Sequence, residues 1–130
     1  MASIFSKIIA GEIPSYKVAE DENFYAFLDI SPLAIGHTLV VPKKEVDYIF
    51  DLDDKTLSEM MLFSKKVAEA LSKTIECLRV GVIVVGLEVP HAHIHLIPIN
   101  KESDMILSNT RLKLEPERFK SISEDIRANF

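Results

Sequence analysis

His91-Ala92-His93-Ile94-His95-Leu96-Ile97 is the stretch on which the reading of this chain turns. Polar and apolar residues alternate through its first six positions, and a period of two marks a β-strand. On a strand, residues i, i+2 and i+4 project from the same face. Three imidazoles therefore share one side, while Ala92, Ile94 and Leu96 share the other. The chain has only four histidines, and three of them lie here. Burying three unpartnered imidazoles in a core is costly, so the grouping points to chemistry. Two chemistries suit it. Imidazole is a common zinc ligand, and alternating strand histidines can share a metal. Equally, one imidazole can attack phosphorus while its neighbours bind or protonate the phosphate oxygens. The triad alone leaves both open.

Working outward, Val80 to Val85 is nearly all apolar and suits a strand buried on both faces. Gly86-Leu87-Glu88-Val89-Pro90 connects it to the histidine strand. The clearest helix runs from Asp54 to about Ile75, with Asp53 as N-cap and Leu52 and Leu57 placed for a hydrophobic staple. Leu57, Met60, Met61, Val67, Ala68, Leu71 and Ile75 give it one apolar stripe. Toward the N-terminus, His37 to Pro42 reads as a strand, preceded by a loop at Ser31-Pro32 and Gly36. Tyr16 to Glu20 and Phe24 to Asp29 read as two further strands joined by the short Asp21-Glu22-Asn23 connection. Ile4, Phe5, Ile8 and Ile9 have helical spacing, ended by Gly11. Residues 101 to 113 have no firm period and read as a mobile loop. Pro116 opens a last helix with Phe119, Ile122 and Ile126 on one face. The order is helix, three strands, long helix, two strands, helix. It predicts an α+β fold: a five-stranded, mainly antiparallel sheet with one long helix and shorter ones.

The 130 residues suit one domain over 1–130, with 101–130 as a variable C-terminal segment. Apolar residues make up 48% and charged residues 27%, the balance of a soluble globular chain. No apolar run is long enough to cross a membrane, and the first residues do not form a secretory signal. A single cysteine, Cys77, excludes an internal disulfide, suits the reducing cytoplasm and reads as ordinary core. The net charge of −5 lacks the positive field that drives binding to long nucleic acids. A mononucleotide is compatible with it, because a local pocket can be positive on an acidic protein.

The chain resembles the histidine-triad (HIT) family of nucleotide-binding hydrolases and transferases, and within it the small nucleoside-phosphoramidase-like branch. The residues that carry the likeness are the triad His91-Ala92-His93-Ile94-His95-Leu96-Ile97, then Ile4-Phe5-Ser6-Lys7-Ile8-Ile9, Glu12-Ile13-Pro14, Phe27-Leu28-Asp29-Ile30-Ser31-Pro32 and Gly36-His37-Thr38-Leu39-Val40-Val41-Pro42-Lys43. Together they cover roughly residues 3 to 100. The resemblance implies that His93 is the nucleophile, attacking the α-phosphorus of a purine nucleotide derivative to form a nucleotidyl-histidine intermediate that water then hydrolyses. Imidazole suits that role, since its reference pKa near 6.5 leaves it substantially neutral at neutral pH. By the same resemblance His95 contacts the phosphate oxygens, while His91 and His37 belong to the hydrogen-bond network that holds the site. Asp29 matches the carboxylate that accepts hydrogen bonds from the ribose hydroxyls; read alone, it is also a turn-capping residue. Ile4, Phe5, Ile8, Phe27, Ile30 and Leu39 match the apolar pocket around the base, and taken singly each is also plain core.

Two departures from the family pattern matter. Some relatives carry cysteines near the N-terminus that help bind structural zinc; here Ser3 and Ser6 stand there, and hydroxyls are poor zinc ligands. No metal and no cofactor is expected. The segment before the triad, Val82 to Pro90, is shortened and has lost the asparagine and glutamine that help hold phosphate. Glu88 lies within it at a position of the nucleotide site, and its carboxylate would repel a phosphate unless it points away or offers only its backbone N–H. A more open site with weaker phosphate binding or slower turnover is expected. The leading reading is a phosphoramidase-like nucleotide hydrolase. The alternatives are a dinucleoside polyphosphate hydrolase, a non-catalytic mononucleotide-binding module, or a hydrolase using the triad as metal ligands. The resemblance also implies a homodimer in which the long helix and a sheet edge meet across a two-fold axis.

Overall fold

The side chains at the ends of the elements explain why they begin where they do. In the computed structural model, which describes residues 2–130, helix α1 (Ile4–Ile9) starts at Ser3, whose hydroxyl accepts the Ser6 N–H at 3.0 Å. Strands β1 (Lys17–Glu20) and β2 (Phe24–Leu28) form a hairpin. Its turn is closed by Asp21, whose Oδ1 accepts from the N–H groups of Asn23 at 2.8 Å and Phe24 at 2.7 Å. Strand β3 (Thr38–Pro42) follows a turn at Gly36, where φ is +90° and a side chain would be strained. Helix α2 (Asp54–Thr74) is capped by Asp53, which accepts from Thr56 N–H at 2.7 Å. Strands β4 (Arg79–Ile83) and β5 (Ile94–Ile99) and helix α3 (Pro116–Ala128) complete the chain.

The strands form one sheet in the order β1-β2-β3-β5-β4, and every neighbouring pair is antiparallel. The fold is α+β, as the order of elements predicts. Both faces of the central strands are covered, so β2 and β3 are buried throughout. On one face Phe24, Ala26, Leu28, Val40, Ile94 and Leu96 pack with Met60, Phe63, Val67 and Leu71 of α2 and Phe119, Ile122 and Ile126 of α3. On the other, Tyr25, Phe27, Leu39 and Val41 pack with Phe5, Ile8 and Ile9 of α1 and with Val89. Leu39 is opposite His95 in the β3–β5 register, so His95 emerges on the α1 face.

Five expectations need adjusting. The β5 ladder begins at Ile94, and His91 and His93 lie in the approach to it; the alternation of faces nevertheless holds, with Ala92, Ile94 and Leu96 all in the helix-side core. The apolar run expected to be a doubly buried strand is shorter and lies at the sheet's edge, with Val82 50% exposed. The centre of the α2 stripe includes Phe63, while Met61 faces outward. Cys77 is half-buried in the connection from α2 to β4 and does not enter the core. Segment 101–113, expected to lack structure, contains a 3-10 turn at Glu102–Met105 and is held to the Ser31-Pro32 loop by Leu112 N–H, which donates to Pro32 O at 2.9 Å.

Candidate active site

The four histidines converge on the α1 face, and the backbone fixes which nitrogen of each carries the proton. His91 Nε2 lies 2.7 Å from Pro42 O, a carbonyl that can only accept, so Nε2 is the donor. Nδ1 of His91 then accepts from the Ser3 hydroxyl at 2.7 Å. His93 Nδ1 lies 2.8 Å from His91 O and is likewise the donor, which leaves the lone pair on Nε2. Leu33 N–H donates to His37 Nδ1 at 3.0 Å, so the His37 proton resides on Nε2 and is given to His95 Nδ1, also at 3.0 Å. His95 is left with an N–H at Nε2. The His93 and His95 ring centroids are 4.9 Å apart. Phe5 stands edge-on to His93 with centroids 5.0 Å apart, and to Phe27 with centroids 5.5 Å apart.

Neutral imidazoles fit this network. Burial, the neighbouring His95 and the Arg111 guanidinium hold the pKa of His37 down to about 3. Burial, His93 and Arg111 hold that of His95 down to about 4. Burial also lowers His91, partly opposed by its bond to Pro42 O and by Glu45. His37 Nε2 is 3.6 Å from Asp29 Oδ2, a contact with a neutral ring and so not an ion pair at neutral pH. Asp29 has its own pKa raised, first by burial, against the lowering effects of the Ser31 N–H, Arg111 and His93. Ser3 N–H and the Ser6 hydroxyl both donate to Glu45 Oε1, at 2.6 and 2.7 Å, which anchors α1 beside His91. Among the described residues, no buried side-chain nitrogen or oxygen lacks a partner.

A cleft of about 590 Å³ opens in front of this network. Of the residues expected at the site, Ile4, Phe5, Asp29, Leu39, Glu88, His93 and His95 line it. His37 and His91 are fully buried behind it. Phe27 and Ile8 pack in the apolar cluster that backs Phe5 and Leu39. Ile30 is 73% exposed and is not part of the cleft wall. Asp29 also performs the turn-capping role, its Oδ1 accepting Ser31 N–H at 2.8 Å. In the loop from Val84 to Pro90, Glu88 is the only polar side chain, so beyond it the loop offers an anion backbone N–H groups alone. Sequence reasoning missed Arg111 and Leu107, which complete the wall from the segment after β5. No local pattern could have found Arg111, because the Ser31 carbonyl it binds is 80 residues away.

Asp29, His37 and His95 also place one possible metal-ligand atom each within 4.8 Å of one another. A metal there would need the lone pair of His37 Nε2, but the Leu33 N–H at Nδ1 keeps the proton of the neutral ring on Nε2. The hydrogen bonds of these histidines therefore run against a shared ion. A second cleft, of about 680 Å³, shares His93 and residues 85–87 with the first, and its remaining walls are mostly apolar, including Tyr48, Phe50, Leu57, Met61 and Val84.

The sequence profile of the HIT domain matches residues 10–102. An uncharacterised HIT-like protein of Borreliella burgdorferi is 40% identical, covering 97% of this chain and 96% of its own. The adenosine 5'-monophosphoramidase HNT1 of Saccharomyces cerevisiae is 40% identical over 82% of this chain and 68% of its own. Among solved structures, a HIT-like protein from Bartonella henselae described as involved in cell-cycle regulation superposes with a TM-score of 0.85 at 34% identity, covering 98% of this chain and 96% of that one.

Proposed function

This chain belongs to the HIT family, and from that premise we propose that it is a nucleotide hydrolase that cleaves purine nucleoside phosphoramidates, or similar adducts, at the α-phosphorus. The observation that carries the reading is the proton arrangement. The bond from His93 Nδ1 to His91 O leaves a lone pair at His93 Nε2, and the His37–His95 bond leaves an N–H at His95 Nε2. A nucleophile thus stands beside a hydrogen-bond donor at one cleft, the pairing that attack on a phosphoryl group needs. His93 Nε2 bonds to the α-phosphorus as the bond to the amine breaks, and the amine leaves with a proton taken from water, which the hydrolysis step returns. Water then attacks the same phosphorus, the phosphorus–imidazole bond breaks, and the mononucleotide is released. His95 Nε2–H holds a phosphate oxygen through both steps. Asp29 Oδ2 accepts from the ribose, and Ile4, Phe5 and Leu39 flank the base. The relatives named as adenosine 5'-monophosphoramidases support this substrate class.

The active unit is a homodimer working on small nucleotides in the cytoplasm. The want of side-chain donors between Val84 and Pro90 supports slower turnover than in relatives with a longer loop. The test is steady-state hydrolysis of an adenosine phosphoramidate, with chelator present, by wild type and His93→Ala. Wild type turns over in chelator, and the variant loses at least about a thousandfold in kcat. Comparable turnover by the variant would remove His93 as nucleophile. Activity abolished by chelator would restore the metal reading.

A further inference from the structure

The segment that follows β5 contributes a residue whose placement the reading above does not use. Arg111 Nη1 donates to Ser31 O at 2.8 Å, and its Nη2 donates to Leu107 O at 3.0 Å. Ser31 is the same residue whose N–H is held by Asp29 Oδ1. The turn from Asp29 to Ser31 is thus gripped from both ends, by Asp29 on the N–H and by Arg111 on the carbonyl. Arg111 Nη1 also stands 4.0 Å from Asp29 Oδ2. That is close enough for its charge to act on the carboxylate and too far for a hydrogen bond. With both terminal nitrogens committed to carbonyls, the guanidinium faces Asp29 without occupying the oxygen that a ligand would use. Among the described residues it is the only Arg or Lys side chain lining the cleft, and Glu88 brings a second carboxylate to the same wall. A planar fork that binds two carbonyls at once is a task for Arg and not for Lys.

We propose that Arg111 is a positioning residue for ribose recognition: by clamping the Asp29–Ser31 turn and facing Asp29 Oδ2, it sets that carboxylate to accept from the ribose hydroxyls. The inference rests on the reading of Asp29 as the ribose contact. It makes segment 107–112 part of the binding site, and it ties the preference for ribonucleotides over deoxyribonucleotides to a residue outside the matched HIT domain.

The test is calorimetric binding of AMP, 2′-deoxy-AMP and adenosine to wild type, Arg111→Met, Arg111→Lys and Asp29→Asn. Wild type binds AMP about tenfold more tightly than 2′-deoxy-AMP, the effect of one hydrogen bond to a charged group. Arg111→Met loses most of that preference, down to the level of Asp29→Asn. Arg111→Lys, which keeps the charge and loses the fork, falls between. The ratio of AMP to adenosine affinity stays as in wild type, a result that general damage to the fold or a direct contact with phosphate would not give. An Arg111→Met protein that keeps its preference for AMP over 2′-deoxy-AMP overturns the inference and leaves the proposed function standing. So does an Arg111→Lys protein with the full wild-type preference, if Arg111→Met fails to fold. A wild type without that preference, or one that binds no nucleotide, overturns the role of Asp29 and the inference with it.

Discussion

A histidine nitrogen can offer either a proton or a lone pair, and here the choice is made by backbone groups that have no choice themselves. Pro42 O and His91 O can only accept, and Leu33 N–H can only donate. The sequence reveals the four histidines because they are rare and three of them alternate, but it is silent on their partners, which come from β3, from the loop before it, from the cap of α1 and from the triad's own backbone. The arrangement has a consequence for stability. His37 and His95 have folded-state pKa values of about 3 and about 4, below the ordinary value of 6.5. The unfolded chain therefore binds protons that the folded one refuses, beginning as the pH falls through about 6.5. Stability from these groups is fully present above that pH and is lost progressively on acidification toward the folded values. At pH 5, His37 alone accounts for about 2 kcal/mol of loss relative to pH 7. Asp29 acts in the opposite sense at lower pH, since its raised pKa favours the folded form as it takes up a proton. Urea unfolding at pH 7 and pH 5 checks this. His37→Gln is expected to show a shallower pH dependence than wild type, and an unchanged slope would mean that His37 is not the group responsible.

Element by element, the local chemistry of the chain was legible wherever a segment states its own boundary. Asp53 before α2 and the Asp21 turn each satisfy orphan backbone groups from within a few residues, and Pro116 at the start of α3 brings no N–H that would need a partner. The six-residue helix α1 also shows its spacing, but not its purpose. Its purpose lies at Ser3, which caps the helix through Ser6 N–H and at the same time supplies the proton for His91 Nδ1. One hydroxyl thus ties the start of α1 to the start of the triad, 88 residues apart. Ser3→Ala removes a cap and leaves a buried imidazole nitrogen without its partner. A loss of about 2 kcal/mol is expected, about 1 from the cap and the remainder from His91. Chemical denaturation measures it, and Ser3→Thr, which keeps the hydroxyl, should recover most of the loss. An alanine variant as stable as wild type would show that the Ser3–His91 bond adds nothing. The C-terminal segment was the least legible element for the same reason: Arg111 is fixed by contacts with a loop distant in sequence, and nothing in its own neighbours announces them.

At the scale of the whole molecule, the apolar run around β4 bears on the homodimer proposed above. The sequence reads as a strand buried on both faces, yet β4 is at the edge of the sheet. Val82 is paired with the core residue Leu96 and so faces the α2 side, but it remains 50% exposed. The chain's own α2 packs against the start of β4 at Val80 and leaves Val82 open. Instead, an apolar cleft of about 680 Å³ opens between Leu57 and Met61 on α2 and the residues just past β4, with Tyr48 and Phe50 on its rim. An unpaired edge beside an exposed apolar patch is a liability for a lone chain and a ready interface for two. The antiparallel pairing of β4 with a second β4 would satisfy both edges with one two-fold axis, and the uncovered face would receive apolar surface from the partner. The shared walls of the two clefts, at His93 and residues 85–87, would then couple the interface to the nucleotide site. Wild type is accordingly expected to sediment at twice the chain mass of 14.6 kDa. Val82→Lys places a charge on the exposed edge and is expected to shift the protein to monomer, with a rise in KM from the loosened loop. Wild type that sediments as a monomer at assay concentrations would leave the exposed valines without a partner, and the coupling between interface and site would fall with the dimer.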